Sequence, residues 1–130
     1  MALFYQEDFH KESTALDASE SQHLAKVLRI KNGEMIEVTD GKGSLYRCEV
    51  ISVSPKLTTV KVVEQDFFEK SATLKHLAIA PTKNLDRIEW FVEKSVEFGV
   101  DELSFLLCQN SERRVLKTDR LKKKAISAMK

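Results

Sequence analysis

Lys83, Lys94, Glu97, Glu112 and Arg113 are the charged residues whose placement suggests chemistry. Lys83 follows a compact apolar run, 74–80, that reads as a parallel strand. In open α/β sheets, ligands bind just outside the carboxyl ends of such strands. Arg113 and Arg114 follow a second apolar run, 103–107, and belong to the same edge. A cation there favours a bound or developing anion, and it serves equally well as an ordinary loop charge, so residue type leaves both readings open. Lys94 and Glu97 are three apart in a helical pattern and are expected to meet as an i,i+3 pair on a solvated face.

A second basic set, Lys26, Arg29, Lys31, Lys42 and Arg47, rims the unit built from the stretch Ser19 to Tyr46 and is suited to phosphate contacts. Tyr46 can stack on a base, but its place in an alternating strand favours the core. Other chemistries lack their residues. His10, His23 and His76 are scattered, and His23, beside Leu24, is better suited to packing. Gly41-x-Gly43 joins two strands, whereas a phosphate-binding glycine fingerprint joins a strand to a helix. Cys48 and Cys108 form neither a CxxC pair nor a cluster with histidine, so no metal is expected and both read as buried thiols of a reducing compartment.

The elements that hold these residues fall into two grammars. Leu3 to Phe9 reads as a first strand and His10 to Ser21 as a connection. Ser19 with Gln22 reads as a capping box opening a short helix whose apolar stripe is Leu24, Val27 and Leu28. Asn32-Gly33 is expected to close it. Met35 to Thr39, Leu45 to Val53 and Thr58 to Glu64 read as strands, the second alternating with Tyr46, Cys48 and Val50 inward. Short strands at this spacing suggest a small β-barrel or sandwich ending near residue 70.

After the mixed run 66–73 the pattern becomes β-α-β-α, that of a parallel sheet covered by helices. Asn84 is a natural N-cap for a helix with Leu85, Ile88, Val92, Ser95 and Val96 on one face, widened by Phe91 and Phe98. Gly99 supplies its C-terminal cap. Thr118 or Asp119 is placed to cap a last helix, with Leu121, Ala125 and Met129 on one face and Lys122, Lys123 and Lys124 exposed. Two parallel strands do not complete such a sheet, and the last helical pattern runs to Lys130 without a stop. The sequence is therefore expected to be a fragment whose second domain is cut short.

Whole-chain quantities set the bounds. One hundred and thirty residues suit one ordinary domain or two small ones. A formal net charge of +1 gives no global support for nucleic-acid binding, so any basic footprint is local. The amino-terminal residues are too few and too acidic for a signal peptide. With no apolar run of membrane-spanning length, a cytoplasmic place is expected.

Taken in order, His23-Leu24, Val27-Leu28-Arg29, Gly33, Asp40-Gly41-x-Gly43 and Tyr46 resemble the amino-terminal module of the bacterial family that methylates N3 of a uridine in small-subunit (16S) ribosomal RNA. Lys83, Glu89, Lys94, Glu97-x-Gly99 and Ser111-Glu112-Arg113 are similar to the start of that family's second domain. The resemblance covers nearly the whole chain. It implies an α+β protein in two parts: a PUA-like RNA-binding β-barrel over 1–70, and the incomplete beginning of a SPOUT-type α/β methyltransferase domain over 71–130. It further implies S-adenosylmethionine as methyl donor, held in a carboxy-terminal knot, a homodimer when full length, and ribosomal RNA or the small subunit as partner. Arg113 and Lys83 become the catalytic candidates, and Lys26, Arg29, Lys31, Lys42 and Arg47 the RNA-binding ones. No position here matches the cofactor pocket, so the fragment is expected to bind RNA and to be inactive alone. The alternative is a non-enzymatic RNA-binding module acting in ribosome assembly.

Overall fold

Strict alternation builds the first sheet. In the computed structural model, which describes Met1–Lys130, strands β1 (Leu3–Tyr5), β2 (Ala15–Leu16), β3 (Met35–Thr39), β4 (Ser44–Ser52) and β5 (Thr58–Phe67) form one sheet in the order β1-β3-β4-β5-β2. β1 pairs parallel to β3 and the other pairs are antiparallel. The register stacks apolar residues in rows: Phe4 lies opposite Val38, Val38 opposite Tyr46, Ile36 opposite Cys48, and Val50 opposite Val60. All of these are buried, together with Phe9, Leu16 and Leu24. Each large apolar side chain so removed from water contributes about 1.5–3 kcal/mol. The hydrogen bonding begins on β1 and ends on β2, so the expected barrel is a curled half-barrel.

The sheet's inner face is covered by α1 (Ala18–Gln22) and the π-helical stretch that continues it, His23–Leu28. Several sequence expectations are corrected here. The cap is Asp17, whose carboxylate accepts the Glu20 N–H at 2.8 Å, two residues earlier than the Ser19–Gln22 box. The helix ends at Arg29 in the left-handed region, φ 53°, before Asn32-Gly33 is reached. Leu24 is fully buried, but Val27 and Leu28 face solvent, because wider π winding turns them off the stripe that a 3.6-residue period predicts. β1 stops at Tyr5, and β2 was hidden inside a polar run. Tyr46 is in the core, edge-on to Phe9 with ring centres 5.1 Å apart, which removes it as a base-stacking platform. His23 packs edge-on to Phe4.

Two small contacts hold this unit in register. The buried Ser21 hydroxyl donates to the Leu16 carbonyl at 3.2 Å and accepts the Thr58 N–H at 2.8 Å, tying α1 to β2 and to its neighbour β5. Gly43, φ 115°, lies against the end of β5: the Phe68 N–H donates to its carbonyl at 2.8 Å, and a Cβ at Gly43 would stand 2.6 Å from the Phe68 carbonyl oxygen.

The chain divides into two compact units, Met1–Lys70 and Ser71–Lys130. In the second, β6 (His76–Ile79) and β7 (Glu102–Phe105) pair in parallel, as the β-α-β pattern predicts. Between them runs α2 (Leu85–Glu97), capped by the Asn84 carboxamide, which accepts the Asp86 N–H at 3.0 Å. α2 closes with a Schellman motif: Val100 N–H reaches the Ser95 carbonyl, Gly99 N–H reaches Val96, and Gly99 takes φ 73°. Ile88, Val92 and Leu121 form the core with Leu103, Phe105 and Leu116. Phe98 points into solvent rather than widening the apolar face. α3 (Thr118–Met129) starts from Lys117 without a side-chain cap, so neither Thr118 nor Asp119 has the expected role. It is fastened to α2 by a ladder at matched i,i+4 spacing: Arg120 pairs with Glu89, and Lys124 with Glu93 at 3.5 Å. β6 itself is largely exposed, as a two-stranded sheet covers little.

Candidate functional site

Parallel pairing of β6 and β7 puts the loops that follow them side by side. Leu106 N–H donates to the Ile79 carbonyl at 2.8 Å and keeps the strand ends level. Arg113 then reaches back: its Nε donates to the Thr82 carbonyl at 2.9 Å, and its Nη2 to the carbonyl of Lys83. Arg114 Nη2 donates to the Gln109 carbonyl at 3.0 Å, and the Ser111 hydroxyl accepts the Cys108 N–H. The two catalytic candidates, Lys83 and Arg113, are therefore in one place. They differ in kind, because the Arg113 guanidinium is engaged with loop carbonyls while Lys83 rides on the loop those hydrogen bonds shape.

Lys83, Cys108, Asn110, Ser111 and Glu112 line an open recess of about 430 Å³ at this edge. A second recess of about 410 Å³, almost wholly apolar, lies along α2 between Ile79, Ile88, Trp90 and Phe91. Sequence reasoning missed it, because Trp90 falls off the helical stripe and its exposure gave no signal. Lys94 and Glu97 meet as expected, with Nζ to Oε2 at 3.0 Å; that hydrogen bond, and the Glu97 charge, hold the Lys94 ammonium above its usual range. This pair is a helix-face contact away from the loops.

The five basic residues expected to contact phosphate do not form one patch. Lys26, Arg29 and Lys31 precede β3, while Lys42 lies beyond its far end in the β3–β4 turn. Lys42 Nζ sits 3.4 Å from the Glu7 carbonyl and 3.9 Å from its carboxylate. Tyr5 at this same end has a raised pKa, chiefly from burial and then from the charges of Glu7 and Asp40. Arg47 lies on the sheet's outer face among three carboxylates: Glu64 at 2.6 Å, Glu37 at 3.8 Å and Asp66 at 4.0 Å. Its charge is matched where it stands. No group of three or more His, Cys, Asp or Glu side chains is placed to hold a metal ion, and no helix is long and apolar enough to cross a membrane.

Comparison with known proteins bears on both units. Residues 16–63 match the family model described as the RNA methyltransferase PUA domain, and residues 69–130 match the RNA methyltransferase domain. The chain is 26% identical over 110 residues to ribosomal RNA small subunit methyltransferase E of Bacillus subtilis, covering 85% of this chain and 42% of that protein. A probable rRNA-methyltransferase from Porphyromonas gingivalis, of known crystal structure, is 40% identical and superposes with a TM-score of 0.87, over 99% of this chain and 54% of that one. A ribosomal RNA small subunit methyltransferase E from Neisseria gonorrhoeae, crystallised bound to S-adenosyl methionine, shares the fold with a TM-score of 0.86 at 24% identity, over 98% of this chain and 55% of that one. The chain thus spans about half the length of the relatives it matches. With the two domain models matched in order over most of its residues, the chain belongs to the RNA methyltransferase family.

Proposed function

We propose that this chain is the RNA-binding and substrate-edge portion of an S-adenosylmethionine-dependent enzyme that methylates N3 of a uridine in small-subunit ribosomal RNA. The observation that carries the proposal is the ordered pair of family matches, supported by relatives that are small-subunit ribosomal RNA methyltransferases by name. In this reading residues 1–70 are a PUA-like module, residues 71–130 open a SPOUT-type domain, the complete enzyme is a cytoplasmic homodimer, and this chain alone transfers no methyl group.

The residues present do not fit the cofactor. A sulfonium needs a carboxylate or carbonyl near its charge and apolar cover for its adenine. Each recess sets a cation beside its one carboxylate, Lys83 with Glu112 at the strand edge and Arg87 with Asp86 along α2, so neither offers a sulfonium an uncompensated negative charge. What the chain offers is a cation beside the base. The uracil N3–H is weakly acidic, and a nearby positive charge favours the anion. In this reading Lys83 supplies that charge and Arg113 is a positioning residue, a division supported by the hydrogen bonds of Arg113 to the Thr82 and Lys83 carbonyls.

The test is methyl transfer by the full-length protein containing this chain, with small-subunit ribosomal RNA and labelled S-adenosylmethionine, followed by digestion and mass spectrometry. 3-Methyluridine is expected; label on the ribose or on C5 would overturn the reading. In that protein Lys83→Ala should lower kcat by about 100-fold, in the range typical of removing one electrostatic stabiliser. Arg113→Lys should lower kcat less, because a single ammonium still reaches one of the loop carbonyls.

A further inference from the structure

The first unit is anionic on balance, yet one of its turns is not. Residues 1–70 contain nine Lys and Arg against twelve Asp and Glu, whereas the run from Ser21 to Gly33 holds Lys26, Arg29 and Lys31 and no carboxylate. The same turn exposes two apolar side chains in succession, Val27 at 67% and Leu28 at 43%. Their exposure follows from the π winding of His23–Leu28, and π segments recur at functional sites. Arg29 is also the single non-glycine residue with positive φ in the chain. A bulky residue in that region is held there by its surroundings at a cost of about 1 kcal/mol or more.

The surroundings are identifiable. Arg29 and Ile30 both give their N–H to the carbonyl of Leu24, a residue whose side chain is fully buried. Lys31 N–H is accepted by the Glu34 carboxylate at 2.9 Å, and the Asn32 carboxamide oxygen accepts the Val53 N–H at 3.1 Å. A distorted turn is thus pinned from both sides, and what it presents is an apolar pair flanked by cations.

We propose that this turn is the contact for an unpaired stretch of RNA, with Val27 and Leu28 laid against the face of an unstacked base and Lys26, Arg29 and Lys31 holding the neighbouring phosphates. The inference rests on the reading that the chain binds RNA, and it adds which form of RNA and which side chains discriminate. Phosphate contacts alone do not distinguish strand types, whereas a base face is available only where stacking is interrupted. A duplex gives the cations their partners and leaves the apolar pair without one.

The whole 130-residue chain is titrated, by fluorescence anisotropy, into a short unpaired RNA and into a duplex of the same sequence. The wild type should prefer the unpaired strand. The double variant Val27→Ser with Leu28→Ser should bind the unpaired strand about fivefold more weakly, in keeping with removal of apolar cover from one base face, and the duplex unchanged. Lys26→Gln with Lys31→Gln should weaken both. It should also reduce the slope of log K against log salt on the unpaired strand by about 0.7 for each phosphate no longer neutralised. Thermal melting checks that each variant is folded, and Leu28→Gln alone serves as a milder second probe. If the apolar variants bind both RNAs like the wild type, or weaken both equally, the proposed contact is wrong while RNA binding stands. If the wild type binds neither RNA, both readings fall, and an acidic protein surface becomes the better partner for the turn.

Discussion

The two cysteines show how much environment adds to residue type. Cys48 lies in the core row between Ile36 and Val62, and burial pushes its thiol up from 9.0 to about 11. Cys108 is exposed in the loop after β7, which corrects its expected burial: it sits beyond the short strand, where the apolar run has already ended. An alkylating reagent at pH 8 should label Cys108 and leave Cys48 unmodified until the protein unfolds, as peptide mass mapping would reveal. The sign of the accompanying pH effect is fixed. Between the unfolded value near 9 and the folded value near 11 the native state holds the proton more tightly, so this contribution to stability is complete below pH 9 and falls as pH rises through that window. The denaturant midpoint should therefore be lower at about pH 10.5 than at about pH 8, and a Cys48→Ala variant should show a smaller decrease.

At the scale of elements, what the sequence made legible was periodic, and what it concealed was short or unusual. β3, the buried face of β4, the parallel β6–β7 pair, the Asn84 cap and the Gly99 stop all follow from period-2 or period-3.6 patterns and from side chains with one strong local preference. β2 has two residues, too few for any period. The π stretch changes the number of residues per turn, so the positions that should have shared a face with Leu24 were rotated away from it. Lys83 and Arg113 both follow the strands of one parallel pair, as the pattern indicates, but the grip of Arg113 on the loop that carries Lys83 depends on which carbonyls lie within reach, and that is decided by loop closure rather than spacing. Likewise the five basic residues were close in sequence and ended at both ends and on the outer face of one hairpin. The contact of α1 with β2 and β5 was not legible either, since it depends on one serine. Ser21→Ala leaves the Thr58 N–H buried without its acceptor, and should lower stability by about 1–3 kcal/mol, measured by urea denaturation. Ser21→Thr, which keeps the hydroxyl, should recover part of it.

For the molecule as a whole, charge and chain path distinguish the two units. Twelve Lys and Arg against eight Asp and Glu in 71–130 contrast with the acidic excess of 1–70, so a net charge of +1 conceals opposite balances in the two halves. Residues 68–75 have no regular structure, and brief trypsin treatment should cut first after Lys70 or Lys75, yielding two protected halves on a gel. Where that irregular run begins is governed by Gly43. Because any side chain there would strike the backbone of Phe68, the turn and the exit from β5 are locked together, and the clasp is part of the first half's own architecture. Anyone wishing to lengthen, cut or label the tether should work downstream of Phe68; one residue spliced in upstream would carry the Phe68 N–H out of step with the Gly43 carbonyl and open the clasp.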